Sequence, residues 1–216
     1  MDQAVTTAAG RKREQSRRAF WMKQLHQWHW ISSALCLIGM LLFAVTGITL
    51  NHARQIESQA QVTHRTLELP ADLQAQVRGE DVRKAAALPA AVGAWLDAQL
   101  SLRLEGRTGE WSADEIYLSL PRPGGDAWLS IDRASGEVEY ELTRRGWIAY
   151  LNDLHKGRNA GVAWSWFLDL FAVACLVFAL TGLLLLKLHS ARRAMTWPLV
   201  ALGLLLPLLL ALIFIH

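Results

Sequence analysis

Charge is missing from three long stretches of this 216-residue chain. Trp30 to Leu50 runs for 21 residues without an acid or base, Leu170 to Leu186 for 17, and Met195 to Ile215 for 21. Extending the second back to Trp164 adds only one charged side chain, Asp169. A bilayer core about 30 Å thick needs roughly 20 helical residues at about 1.5 Å each, so all three read as transmembrane helices. Cysteine is nearly as scarce. Cys36 and Cys175 are the only two; both lie in apolar runs, where a thiol reads as a small hydrophobe, and they form no CxxC pair, so cysteine usage is uninformative about a disulfide framework and assigns no redox chemistry. There is no CxxCH for covalent haem, no HExxH for a zinc protease, and no GxGxxG to carry a nicotinamide or flavin nucleotide.

The basic residues set an expected orientation. Arg11, Lys12, Arg13, Arg17, Arg18 and Lys23 precede the first run, and Lys187, Arg192 and Arg193 lie between the second and third. By the positive-inside bias both flanks face the cytoplasm, and the segment between runs one and two lies outside, as does His216 after a third crossing. The first run is too long for a signal-peptide core and no small-x-small site closes it, so it reads as a retained anchor. Between Ala53 and Tyr150 there are 11 Arg or Lys against 15 Asp or Glu, although the whole chain carries a net +3. The positive excess therefore belongs to the membrane flanks, where anionic lipid is its partner, and nucleic-acid binding has no support.

The intervening segment has the size of a small α+β domain. "LPAAVGAWLDAQL" from Leu88 carries apolar residues at helical spacing, while "SLRLEG", "EIYLSLP", "AWLSIDR" and "EVEYEL" alternate as strands do. "PRPGGD" and "RASGE" supply turns. The acids of "GEWSADE" and "GEVEYE" read as solvated strand faces, His64 as an isolated histidine, and no nucleophile-base constellation is present.

The remaining histidines cluster at the ends of the runs. His26 and His29 precede run one and His52 closes it; His155 precedes run two and His189 closes it. Two antiparallel helices would thus present His52 with His155 at one membrane face, and His26 or His29 with His189 at the other. Imidazoles from facing helices suit the axial positions of a b-type haem. His29 and His52 are 23 residues apart, about 35 Å of helical rise, a long interval for direct electron transfer. A phrase is also repeated: "FAVTG" from Phe43 and "FALTG" from Phe178. Gly47 and Gly182 remove bulk, and Thr46 and Thr181 can return their hydroxyls to the backbone, which admits either a flat cofactor or a neighbouring helix. Asp169 is a candidate to orient a ligand histidine. Tryptophans crowd the run ends as an aromatic belt, and Lys156 and Arg158 could meet a propionate or a lipid headgroup.

"WHWISSALCLIGMLLFAVTGITLNH" and "YLNDLHKGRNAGVAWSWFLDLFAVACLVFALTGLLLL" resemble the hallmark segments of PepSY-associated transmembrane proteins, and "SIDRASGEVEY" resembles the strand-turn-strand of a PepSY-like domain. The resemblance covers most of Lys23 to His189. It implies kinship with bacterial inner-membrane, haem-containing ferric or siderophore reductases, and carries over His26 or His29, His52, His155 and His189 as haem iron ligands. Larger members have four or more crossings.

The expected architecture is a membrane all-α bundle of three transmembrane helices with a small α+β PepSY-like extracytoplasmic domain. Its parts are a basic cytoplasmic segment (1–22), a first helix (23–52), a periplasmic domain (53–150), a pre-membrane segment with the second helix (151–189), a cytoplasmic loop (190–194) and a third helix (195–216). The expected activity is haem b-dependent electron transfer, through one or two haems, across the inner membrane. The donor is quinol or a redox protein, and the acceptor a periplasmic flavoprotein or ferric complex; homo- or hetero-oligomers are compatible. The alternative is a non-enzymatic PepSY module for protein binding, assembly or protease regulation.

Overall fold

A computed structural model describes residues 2–56, 59–78, 85–104 and 106–215, so His216 lies outside the described residues. Six helices and six strands follow one another as α1 (Asp2–Asn51), β1 (Gln61–Glu68), α2 (Ala71–Val77), β2 (Ala86–Ala87), α3 (Ala90–Leu100), β3 (Thr108–Trp111), β4 (Glu115–Ser119), β5 (Gly125–Asp132), β6 (Glu137–Arg144), α4 (Gly146–Lys156), α5 (Val162–His189) and α6 (Thr196–Phe214). Three of these helices, α1, α5 and α6, are long and apolar enough to cross a membrane. The chain divides into two compact units, 1–42 with 167–216, and 43–166.

In the first unit α1 and α5 run antiparallel along a seam of small and aromatic residues. His29, Ser32, Cys36 and Gly39 of α1 recur at alternating spacings of three and four, as do Phe171, Cys175, Phe178 and Gly182 of α5. That rhythm keeps one stripe of each helix facing the other. Ser32 and Cys36 are buried, while the lipid-directed Leu35, Leu37, Ile38 and Leu41 are exposed. Lipid tails are as apolar as leucine, so close packing of small residues has to hold such helices together. Gly39 is the tightest point: a Cβ there would sit 2.3 Å from the Phe171 ring. α6 contributes no buried residue. The structure thus gives three candidate spans and packing between two of them.

The second unit is a six-stranded antiparallel sheet in the order β1-β6-β5-β4-β3-β2. Alternation sends Ile116 and Leu118 of β4, Leu129 and Ile131 of β5, and Val138, Tyr140 and Leu142 of β6 to one face. There they meet Leu73 and Val77 of α2 and Val92, Leu96 and Leu100 of α3 in one core. The opposite face carries Tyr117 stacked on Trp128, with Glu115, Glu139 and Glu141 nearby in register. Arg133 is buried and donates to the carbonyls of Val77, Ser112 and Ala113, which ties the end of α2 to the β3–β4 turn.

Sequence pattern and structure differ at "SLRLEG". The residues from Ser101 to Leu104 are not a strand. Ser101 adopts a left-handed conformation that ends α3, and the Asp97 carboxylate accepts the Leu104 N–H at 2.8 Å, which brings Leu104 back into the core beside Leu100. The strand comes later, as β3. The helix from Ala90, the strands at β4, β5 and β6 and the turn at Arg133–Glu137 form as the pattern predicts.

Candidate functional site

α4 positions His155. The helix ends at Gly157, whose φ of 67° is a left-handed cap that glycine adopts without strain, and Trp164 Nε1 donates to the Leu154 carbonyl at 2.9 Å. The buried Asp153 carboxylate fixes the other side of α4: it accepts the Gly124 N–H at 2.9 Å and faces Lys156 at 3.5 Å and Arg145 at 4.0 Å. Beside it, Asn152 lies 2.9 Å from Thr49 of α1. The last turn of α4 is therefore clamped between a sheet loop and the end of α1.

That clamp delivers His155 into the first repeated phrase. Its Nδ1 lies 2.7 Å from Thr46 Oγ1, its ring is 4.9 Å from that of Phe43, and its Cε1 is 3.6 Å from where a Cβ of Gly47 would be. In the other unit His29 enters the second phrase in the same way. Its Nδ1 lies 3.0 Å from Thr181 Oγ1, its ring stacks 4.9 Å from that of Phe178, and its Cε1 is 3.2 Å from a Cβ built on Gly182. Each phrase is a niche for one imidazole: phenylalanine covers a face, threonine binds Nδ1 and glycine leaves room for the ring. The flat ring that the two glycines admit comes from the chain itself.

His26 and His189 meet at 6.1 Å between ring centroids, with their planes at 88°. Both are exposed. His26 Nδ1 lies 2.8 Å from the Met22 carbonyl and His189 Nδ1 2.9 Å from that of Leu185. The expected pairing of His52 with His155 is not what the structure assembles. His52 Nδ1 bonds the Ile48 carbonyl at 3.0 Å, whereas His155 meets α1 six residues earlier, at Thr46. An autonomous α4 turns His155 back toward Phe43 and Gly47. Asp169 is exposed on α5, and orienting a histidine falls to other oxygens.

Those oxygens fix the tautomers. A carbonyl only accepts, so the Nδ1 atoms of His26, His52 and His189 carry the proton. Thr181 Oγ1 donates to the Val177 and Phe178 carbonyls at 2.7 and 3.0 Å, and Thr46 Oγ1 to that of Phe43 at 3.2 Å. The Thr181 hydroxyl, spent on two carbonyls, therefore accepts from His29. A proton on Nδ1 leaves Nε2 as the ligating position, the arrangement that outer partners impose on metal-ligating histidines. His64 on β1 differs, since its Nε2 faces Glu141 at 3.3 Å.

Two imidazoles that meet at one end of the α1–α5 pair are the donor type that a b-type haem would take. Among the described residues no group of three or more His, Cys, Asp or Glu side chains could hold a free metal ion. A porphyrin needs only two protein nitrogens. His26 and His189 would be the two that hold it. Two grooves share Trp21 and Leu25, an apolar one of about 600 Å³ lined by Phe20, Trp28, Val177 and Thr181 and a second of about 510 Å³ that holds Glu14, Arg17 and Arg18; neither is lined by His26 or His189.

Helices able to cross a membrane, together with a helix-backed antiparallel sheet between the first two, define a membrane protein with a mixed α+β unit. The chain belongs to the PepSY_TM-like family, whose sequence profile matches residues 20–216. No curated protein and no solved structure matches it.

Proposed function

We propose that this chain is a haem b-dependent electron carrier of a bacterial inner membrane, with one haem at His26 and His189. The observation that carries the reading is the facing pair of exposed imidazoles at 6.1 Å, each with Nδ1 bound to a carbonyl of its own helix. Haem, when bound, supplies a one-electron iron couple. The chain's own part is to ligate through the two Nε2 atoms, with the Met22 and Leu185 carbonyls holding both rings in the ligating tautomer. On the positive-inside bias this end faces the cytoplasm, and the sheet unit lies in the periplasm. Electrons arrive from quinol or a redox protein and leave to a periplasmic protein or ferric complex, so the chain serves as a component of a membrane-bound ferric reductase and relies on a partner to complete the path.

The test is a reduced-minus-oxidised spectrum of the detergent-purified chain with haem quantified per polypeptide. One haem, lost in His26→Ala and in His189→Ala but retained in His52→Ala, is the expected result. A haem-free protein after expression with ample haem, or haem that survives loss of both His26 and His189, overturns the reading.

A non-enzymatic protein-binding module is favoured by a different observation, the sheet face opposite the α2–α3 core with its Tyr117–Trp128 stack and Glu115, Glu139 and Glu141. Cross-linking from a photoreactive group at position 128 in cells separates the two: capture of one defined partner by a haem-free chain supports the module.

A further inference from the structure

Three arginines gather at one rim of the sheet unit's core. The Asp97 carboxylate accepts the Leu104 N–H at 2.8 Å, and the Leu104 carbonyl accepts the Arg107 N–H at 2.9 Å, so the chain after α3 folds into a short loop that carries Arg103 and Arg107. Arg122 stands in the tight turn between β4 and β5, where its carbonyl accepts the Gly125 N–H at 3.3 Å. The three line one cavity of about 200 Å³, together with the buried Leu104, Ala127 and Tyr140. All three are exposed, and among the described residues none is ion-paired or hydrogen-bonded through its side chain. Glu115, Glu139 and Glu141 are on the opposite face of the sheet, and Asp97, which shares an adjoining cavity with Arg107, is already bonded to the Leu104 N–H.

Tyr140 completes the lining. It is only 6% exposed, yet its hydroxyl has no hydrogen-bond partner among the described residues, and no side-chain oxygen or nitrogen among them that is closed to solvent lacks one. The hydroxyl therefore opens into the cavity that its ring lines. Guanidinium groups donate and never accept, and a phenol O–H donates as well, so the cavity converges donors from a loop, a turn and β6. We propose that Arg103, Arg107, Arg122 and Tyr140 bind a phosphate group, as the free ion or as the head of an anionic lipid. Tetrahedral oxygens meet donors from three directions, whereas a planar carboxylate is satisfied by one guanidinium fork. The volume falls below the about 300 Å³ at which pockets for drug-sized ligands begin, which suits a single phosphate group. The site depends neither on haem nor on the acidic sheet face.

The test titrates the full-length chain in dodecyl maltoside micelles and phosphate-free buffer with inorganic phosphate, and separately with dihexanoyl phosphatidylglycerol against empty micelles, by calorimetry. Saturable binding at one site per chain is expected. Arg103→Gln, Arg107→Gln and Arg122→Gln should each weaken it about tenfold or more, and Tyr140→Phe, which keeps the ring in the core, about threefold to tenfold. Arg78→Gln is the control, because Arg78 donates to the Ala134 carbonyl at the opposite end of β5 and should leave the affinity unchanged. Binding of inorganic phosphate identifies the free ion; binding of the phospholipid alone, with the same arginine dependence, identifies the headgroup. No saturable heat from either probe up to about 10 mM, tenfold above a millimolar site, overturns the proposal. So does binding that survives loss of the three arginines, or that Arg78→Gln weakens as much as they do. The native chain alone decides whether a site exists, so a misfolded variant does not leave the question open.

Discussion

Gly39→Ala tests whether α1 and α5 are packed as described. The new Cβ would lie 2.3 Å from Phe171 Cε2 and 2.8 Å from Cζ, whereas ordinary contact begins near 3.4 Å. The ring or the helix must therefore give way by roughly 1 Å, in a seam where Cys36 and Ser32 are already buried one and two turns away. Overpacking of this kind costs about 1–3 kcal/mol. Phe171→Ala removes the obstacle at the expense of a cavity, so the pair should be strongly non-additive: the double variant is expected to be more stable than the sum of the singles by at least about 1 kcal/mol. Reversible unfolding in mixed detergent–SDS micelles, followed by tryptophan fluorescence, measures all four corners of the cycle. A Gly39→Ala protein within about 0.3 kcal/mol of native, or a double variant whose loss equals the sum, would refute the close crossing.

Three further outcomes follow from single contacts. Asp153→Ala leaves the Gly124 N–H without its acceptor and Lys156 without its carboxylate, while Arg145 keeps Asp126 at 3.0 Å, so urea unfolding should show a loss of about 1–3 kcal/mol. Thr181→Val removes the acceptor for His29 Nδ1–H; a loss of about 1 kcal/mol and a changed ¹⁵N tautomer signature for that imidazole are expected, while His189 keeps its own. The Asp132 carboxyl is held below its ordinary value of 3.8, chiefly by the Ser135 backbone N–H and then by the Ser135 hydroxyl. A depressed carboxyl adds stability that is complete above the unfolded value and is lost as pH falls through the folded one. Thermal melts of native and Asp132→Asn protein should therefore differ most above pH 3.8 and converge as pH falls through the lower folded value.

What could be read in the sequence followed from how strongly each segment's environment marks it. The three spans show as missing charge, and β4, β5 and β6 show as strict alternation because one face meets a core and the other does not. β1 escapes the same test. All of Gln61–Glu68 except Leu67 is exposed, so no apolar period marks it, and only its register against β6 reveals a strand. α2 has seven residues, too short for periodicity to stand out. The histidines were visible as a set, but their partners were not. His155 could be assigned to His52 only on the assumption that it continued the second span, and the left-handed cap at Gly157 breaks that continuity. The choice between His26 and His29 beside His189 likewise rests on side-chain direction, which a three-residue spacing does not resolve.

The repeated Phe-Ala-x-Thr-Gly phrase gains a physical meaning from these contacts. Neither copy binds the histidine that follows it in the chain. The copy at Phe43 holds His155, which precedes the second copy, and the copy at Phe178 holds His29, which precedes the first. Each histidine and phrase together thus behave as one unit used twice, with the histidine of each unit seated in the phrase of the other. The exchange explains why threonine and glycine stand together. Threonine alone would bind an imidazole on a crowded helix face, and glycine alone would leave an opening that a lipid chain could fill as well as a ring. An alanine at either glycine would bring a methyl group against the imidazole Cε1, nearer at Gly182 than at Gly47. With His29 and His155 committed to the two niches, His26, His52 and His189 keep rings bound only to their own helices, and of these only His26 and His189 face one another.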